Sequence, residues 1–235
     1  VDAQLVLARS YGLPSWPRLV QACRMTTAIC LDDLDTVRDL VLKHPHLLHE
    51  EARGVKDNFG PPMSYAANLG RDRIIEVLRQ MGATDAQFAF DRACLQGQLK
   101  TARLLRDMGA RPAANPTMRP AMTLNGASMR VLLELGHPPD DLSGDRNSTV
   151  ALVLETSCRN PAGKHECLEL LAAHGTKLPD TAPMAVHRGS VDLLEAHLKA
   201  DPGLFTRVFS HEEIYPSGLG CHADHSVALH GTPLD

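Results

Sequence analysis

One amphipathic helix pattern, repeated at fixed intervals, constrains the fold of this chain more than any other feature of its sequence. Residues 74–83 place apolar side chains at the i, i+3, i+4 and i+7 positions of a helix face. Segments 101–110, 128–137 and 167–176 repeat the pattern at the same offsets. Each copy closes on a glycine, which ends a helix in the left-handed conformation without a steric penalty. The sequence therefore predicts one helix in four copies.

Two further copies end in proline instead of glycine. Residues 37–44 run into Pro45, and residues 194–201 run into Pro202. A helix does not continue through proline, which lacks the N–H group and clashes with the preceding turn. The predicted helix ends are therefore 27 residues apart, or 37 to 39 where a longer loop intervenes.

A second, shorter helix is predicted before each of these helices. Segment 62–70 and its image 27 residues later, segment 89–97, share small residues in the middle and a final glycine. Gly70, Gly97 and Gly189 are expected to make the turn into the helix that follows. The predicted unit is thus a pair of helices.

These helix pairs resemble the ankyrin repeat. The similarity is carried by segment 61–67, by the Gly-Ala pairs at 82–83 and 109–110, and by the Thr-Pro-Leu-Asp of 232–235; it covers roughly residues 26–235. The resemblance implies an all-α solenoid of about five to six helix pairs. Because an ankyrin unit has about 33 residues, the 27-residue spacing implies β-hairpin fingers that are short or missing.

The first residues of the chain do not follow the repeat. A helix is predicted to end at Gly12, and Ser15 is a plausible N-cap for the next one. Segment 8–19 resembles a leader found ahead of ankyrin arrays in bacterial proteins. We therefore expect a helical cap at 1–25 that covers the first repeat, followed by an array at 26–235 that stops inside a repeat start.

Composition narrows the class of protein. The net charge of −4 provides no basic excess for binding phosphates, so no nucleic-acid partner is expected. The sequence has no apolar run long enough to span a membrane. Its six cysteines form no CxxC pair and are expected to be reduced, buried thiols. These observations predict a cytoplasmic protein without membrane insertion, and a monomer.

The densest group of potential metal ligands is in the tail, at Cys221, His222, Asp224, His225 and His230. Thiolate, imidazole and carboxylate are suitable donors for zinc, but their spacing matches no known metal site, and a polar loop is the preferred interpretation. No cofactor or metal is assigned, and these five residues remain weak candidates.

Other features also give little support to an enzyme. The sequence contains no P-loop, nucleophile elbow or catalytic triad order. Histidines on or beside the repeat helices are expected to have structural roles: His44, His165, His174, His187 and His197.

The preferred function is that of an interaction module that binds a protein partner of unknown identity on a concave surface formed by stacked repeats. The alternatives are a metal-binding or hydrolytic protein that uses the tail, and a structural scaffold within a larger chain. The candidate contacts lie on a long loop, on first helices and near a turn: Lys56, Asp57, Asn58, Phe59, Tyr65, Asn68, Arg92, Gln96 and Arg119.

Overall fold

The computed structural model describes residues 3–51, 60–112, 116–139 and 148–221. These residues form fourteen α-helices and no β-strand, which confirms the predicted all-α class. The chain divides into two compact units, Val1–Pro112 and Ala113–Asp235.

The described residues of the first unit form seven α-helices. They are α1 (Ala3–Ser10), α2 (Trp16–Cys30), α3 (Leu34–Lys43), α4 (Pro62–Asn68), α5 (Asp72–Gln80), α6 (Ala86–Leu95) and α7 (Leu99–Asp107). Helix α4 packs against both α2 and α6, and α5 packs against α3. First helices therefore contact first helices, and one pair of second helices also packs together.

The second unit contains the other seven described helices. They are α8 (Met118–Thr123), α9 (Gly126–Glu134), α10 (Thr149–Glu155), α11 (Pro161–Ala173), α12 (Ala182–Arg188), α13 (Val191–Ala200) and α14 (His211–Ile214). Helix α8 packs against α10, and α11 packs against both α9 and α12.

The helices α2 to α13 form six consecutive pairs, three in each unit, and the members of each pair are in contact. Gly70, Gly97 and Gly189 make the turns inside three pairs with φ between 63° and 72°, as predicted. Two other pairs turn without glycine, at Asp32 (φ 59°) and Leu124 (φ 50°). These two turns thus adopt the left-handed conformation even though they lack glycine, the residue that favours it.

The second helices of four pairs end in the same hydrogen-bonded closure. Gly82, Gly109, Gly136 and Gly175 all have φ between 87° and 105°. The residue after each glycine donates its N–H to the carbonyl of a leucine five residues earlier, at 2.9 to 3.2 Å. This 6→1 bond is that of a Schellman motif. The four leucines are Leu78, Leu105, Leu132 and Leu171, and each is at most 4% exposed.

The two copies that end in proline close differently. Pro45–Leu48 and Pro202–Phe205 each form a 3₁₀-helix directly after the second helix of the pair. The 3₁₀ turn buries Leu47 and Leu48 in the first unit and Leu204 in the second. Proline therefore stops the α-helix and leads into a turn that returns apolar side chains to the core.

The leader is continuous with the first helix pair. Ala8 and Leu13 pack against Leu19 and Ala22 of α2 in one buried cluster. Because α2 extends to Cys30, residue 25 lies inside a helix and not at an element boundary. No helix in the described part of the chain is long and apolar enough to cross a membrane.

Candidate partner-binding surface

The predicted contact residues differ in exposure. Lys56, Asp57, Asn58 and Phe59 lie outside the described residues. Tyr65 on α4 was expected on the surface, but only 6% of it is exposed.

Helix α4 lies between α2 and α6, and the face that carries Tyr65 is turned towards α2. The Tyr65 hydroxyl lies 3.0 Å from Cys30 Sγ at the end of α2. Burial on this side leaves Tyr65 almost no surface for a partner, so its role in the described structure is packing.

Three predicted contacts lie on or next to the accessible side of α4 and α6. Arg92 Nη2 donates to Asn68 Oδ1 at 2.6 Å, which joins the two helices near their C-terminal ends. Both side chains are half-buried, whereas Gln96 is exposed. A bond of this length to a guanidinium is charge-assisted and fixes the direction of the arginine.

An exposed aromatic residue that the sequence analysis missed lies on the same helix. Phe88 is 39% exposed. It precedes Arg92 and Gln96 by one and two helical turns, so the three occupy one stripe of α6. This i, i+4, i+8 spacing was available in the sequence, but it did not distinguish an exposed stripe from a buried one.

The position of Phe88 is set by the segment before α4. A Cβ atom on Gly60 would lie 2.3 Å from Phe88 Cε1. The ring therefore packs so close to the backbone that only glycine fits at position 60. Gly60 also has a φ of 71°. The ring is therefore held at the surface by a backbone contact. We name Phe88, Arg92 and Gln96, with Asn68, the α6 stripe.

Helices α4 and α6 are also held together at the opposite end of α4. Both the backbone N–H and the hydroxyl of Ser64 donate to Asp85 Oδ2, at 3.0 and 2.5 Å. Ser64 is fully buried. Asp85 precedes α6, so one carboxylate oxygen binds the start of the next helix pair to the previous one.

The remaining predicted contact, Arg119, belongs to the second unit. It is exposed on α8, where Met122 is also 51% exposed. The backbone carbonyl of Arg119 accepts a hydrogen bond from the Thr123 hydroxyl at 2.9 Å. Arg119 therefore lies on a surface of its own unit, and the prediction that it contacts a partner stays a prediction.

Of the tail candidates, Cys221 alone is described. It is 5% exposed, and burial raises the pKa of its thiol to about 12. His222, Asp224, His225 and His230 lie outside the described residues. Within the described ranges, no group of three or more His, Cys, Asp or Glu residues has a metal-binding arrangement.

The cysteines correct the expectation of uniform burial. Cys94, Cys167 and Cys221 are buried, but Cys23, Cys30 and Cys158 are exposed, and all six are free thiols. The exposed three lie on α2 or in a loop beside α10, where the helical pattern gave no sign of an outward side chain.

Histidines beside the helices make structural contacts. His174 Nδ1 lies 2.8 Å from the carbonyl of Leu170 at the end of α11. His197 Nε2 lies 3.0 Å from Asp180 Oδ1. The ring of His165 occupies the space beside Gly189, where a Cβ atom would lie 2.3 Å from its Nδ1.

A comparison with models of known protein families finds no match to this chain, and a search of curated proteins finds none either.

Proposed function

We propose that this protein is an ankyrin-type helical repeat protein that binds another protein through the α6 stripe. The six helix pairs and their recurring left-handed closures support the repeat assignment. Helix pairs at a spacing of 27 residues leave short connections, consistent with reduced fingers. In such an array the surface of the first helices is free to vary, because the fold depends on the faces buried between pairs.

The observation that carries the binding proposal is the exposed aromatic residue held beside a fixed arginine. Aromatic and arginine side chains are enriched at the centres of protein interfaces, where a few such residues provide most of the binding energy. Phe88 is held by Gly60 and Arg92 by Asn68. Both side chains are therefore ordered before a partner arrives, which lowers the entropic cost of binding.

The experiment compares proteins captured by immobilised wild type with those captured by two variants. Phe88→Ser and Gln96→Ala change the α6 stripe, and Arg73→Ala changes an exposed residue on α5 as the matched control. We expect at least one protein, counted by quantitative mass spectrometry after nuclease treatment, to be retained by the control and reduced more than tenfold by Phe88→Ser.

The helical content and melting temperature of each variant are measured by circular dichroism. Comparable values are required, so that lost binding is not lost folding. If the captured proteins are identical for wild type, Phe88→Ser and Gln96→Ala, the α6 stripe is not the binding surface.

A further inference from the structure

The first unit contains an apolar groove between α1, α2 and the start of α3. Its volume is about 820 Å³, which lies within the range of roughly 300–1,000 Å³ that is usual for small-molecule sites. Residues of α2 line it at helical spacing, from Trp16 through Leu19, Val20 and Cys23. The groove therefore follows α2, a helix of 15 residues and thus about 22 Å long.

The walls of the groove are mostly apolar and accessible. Leu7 and Tyr11 of the leader are 46% and 49% exposed, Val20 is 39% exposed, and Leu31 at the far end is 74% exposed. The leader packs on Leu19 and Ala22 of α2 through Ala8 and Leu13. Its helix α1 also forms one wall of the groove, whose apolar floor lies open between α1 and α3.

Two of the polar side chains that line the groove already make hydrogen bonds within the protein. Both carboxylate oxygens of Asp33 accept hydrogen bonds from Thr36, at 3.0 and 2.6 Å, in the N-cap of α3. The hydroxyl of Thr26 bonds back to the helix carbonyls of Ala22 and Cys23. These groups are occupied by local structure.

Arg24 also lines the groove and is exposed. Within the described residues its guanidinium has no hydrogen bond or ion pair, so its five N–H donors are available to a ligand. Asp33 keeps its negative charge, because the hydrogen bonds from Thr36 lower the pKa of its carboxyl, but both of its oxygens already accept hydrogen bonds. The groove thus combines a long apolar floor with one available cation.

We propose that this groove binds a long-chain carboxylate, the chemistry of a free fatty acid. The carboxylate pairs with the Arg24 guanidinium, and the alkyl chain packs from there over Val20 and Leu19 towards Trp16 and Tyr11. This site is separate from the α6 stripe, and it does not depend on the proposed protein-binding function.

The first test uses the single tryptophan of the chain, Trp16, which lines the groove. Its fluorescence is followed while palmitate is added below the concentration at which palmitate forms micelles. We expect a saturable change with one palmitate per protein. Hexadecanol, which has the same chain without the charge, is expected to bind more weakly, and hexadecyltrimethylammonium more weakly still.

Substitutions separate the contributions of the head group and the chain. Arg24→Gln should weaken palmitate binding roughly three- to tenfold without changing hexadecanol binding, because an exposed ion pair contributes modestly. Arg24→Lys should retain most of the palmitate affinity. Val20→Asp should weaken both ligands, and Arg73→Gln, outside the groove, should change neither.

The second test reports on occupancy without fluorescence. Cys23 lines the groove, whereas Cys158, also exposed, lies in the second unit. Bound palmitate should slow alkylation of Cys23 by iodoacetamide and leave the rate at Cys158 unchanged, as measured by peptide mass spectrometry.

Three outcomes would overturn the proposal: no saturable change at Trp16, equal affinity for palmitate in wild type and Arg24→Gln, or equal slowing at the two cysteines. A ligand-free dimer in light scattering that Val20→Asp dissociates would also overturn it, because the groove would then be covered by a second copy of the chain.

Discussion

The imidazole Nε2 of His187 lies 3.0 Å from the backbone carbonyl oxygen of Ile214, which connects α12 to the end of α14. A carbonyl only accepts hydrogen bonds, so the neutral ring carries its proton on Nε2. The same ring faces Tyr215, with 5.6 Å between the ring centroids. Burial, together with the positive charge of Lys164, lowers the pKa of His187 to about 4.

This lowered pKa predicts that the second unit is less stable in mild acid. The ordinary pKa of histidine, which applies to the unfolded chain, is 6.5. Between that value and about 4, the unfolded state binds a proton that the folded state does not. Neutral His187 therefore makes its full contribution to the free energy of unfolding above about pH 6.5. That contribution, roughly 3 kcal/mol in total, is lost as the pH falls. Urea denaturation at pH 7.5 and pH 5 measures the difference.

Replacement of the histidine provides the control for this pH dependence. His187→Gln keeps a side-chain donor but does not titrate, so the loss between pH 7.5 and pH 5 should shrink. His174→Gln, at an exposed histidine of the same unit, should retain the wild-type loss. An unchanged pH dependence in His187→Gln would assign the effect to another group.

Leu105 is expected to contribute strongly to the stability of the first unit. It is fully buried in α7, and its carbonyl accepts the closing hydrogen bond from Ala110. Leu105→Ala should lower the free energy of unfolding by about 2–5 kcal/mol, because it removes buried methyl groups and leaves a cavity. Arg73→Ala, at an exposed position, should change it by less than about 0.5 kcal/mol. A loss below about 1 kcal/mol at Leu105 would contradict this packing.

A substitution at Gly109 measures the cost of backbone strain without any steric overlap. The glycine has a φ of 105°, and a Cβ atom added there would have no heavy atom within 4 Å. Gly109→Ala should therefore cost about 1–2 kcal/mol through the left-handed conformation alone. Gly218 also has open space around it but no positive φ. Gly218→Ala should be neutral or slightly stabilising, and a comparable loss at both sites in thermal denaturation would contradict the backbone explanation.

The sequence predicted the features of the fold that depend on local chemistry. Apolar spacing placed the second helices, and glycine or proline placed their ends, because both act within a few residues. Leu124 shows where local chemistry was insufficient: it adopts the left-handed turn without glycine because the flanking helices α8 and α9 require a turn there.

The candidate surface was less predictable, because exposure depends on neighbours that are distant in sequence. Tyr65 is buried by contact with Cys30, which precedes it by 35 residues. Phe88 packs against the backbone of Gly60, which precedes it by 28 residues, and remains 39% exposed. The groove beside Arg24 exists because α1 packs along one side of α2 and does not cover it. That arrangement depends on how the two helices pack together, so the apolar pattern of either helix alone does not predict it.

The free thiols should divide into two classes in the folded protein. Burial raises the pKa of Cys94 and Cys167, like that of Cys221, to about 12, so these thiols stay protonated and shielded. We expect iodoacetamide at pH 8 to label Cys23, Cys30 and Cys158 in native protein, and all six cysteines in urea. Mass spectrometry of the intact protein counts the labels, and native labelling of any buried thiol at the exposed rate would contradict the structure.

Asp85 and Ser64 link two consecutive helix pairs. Asp85 Oδ2 accepts two hydrogen bonds from Ser64, whose amide and hydroxyl are buried and depend on it. Asp85→Ala should lower the free energy of unfolding by about 2–4 kcal/mol, because it leaves two buried donors unpaired. Ser64→Ala removes only the hydroxyl donor and should cost less, about 1–2 kcal/mol.

The double variant shows whether the two residues act as a pair. In the Asp85→Ala background the Ser64 hydroxyl has lost its acceptor, so adding Ser64→Ala should cost little or become favourable. The coupling energy from urea denaturation of the four proteins should then be about 1–2 kcal/mol. Additive losses would mean that the two side chains act independently, which would contradict the hydrogen bond between them.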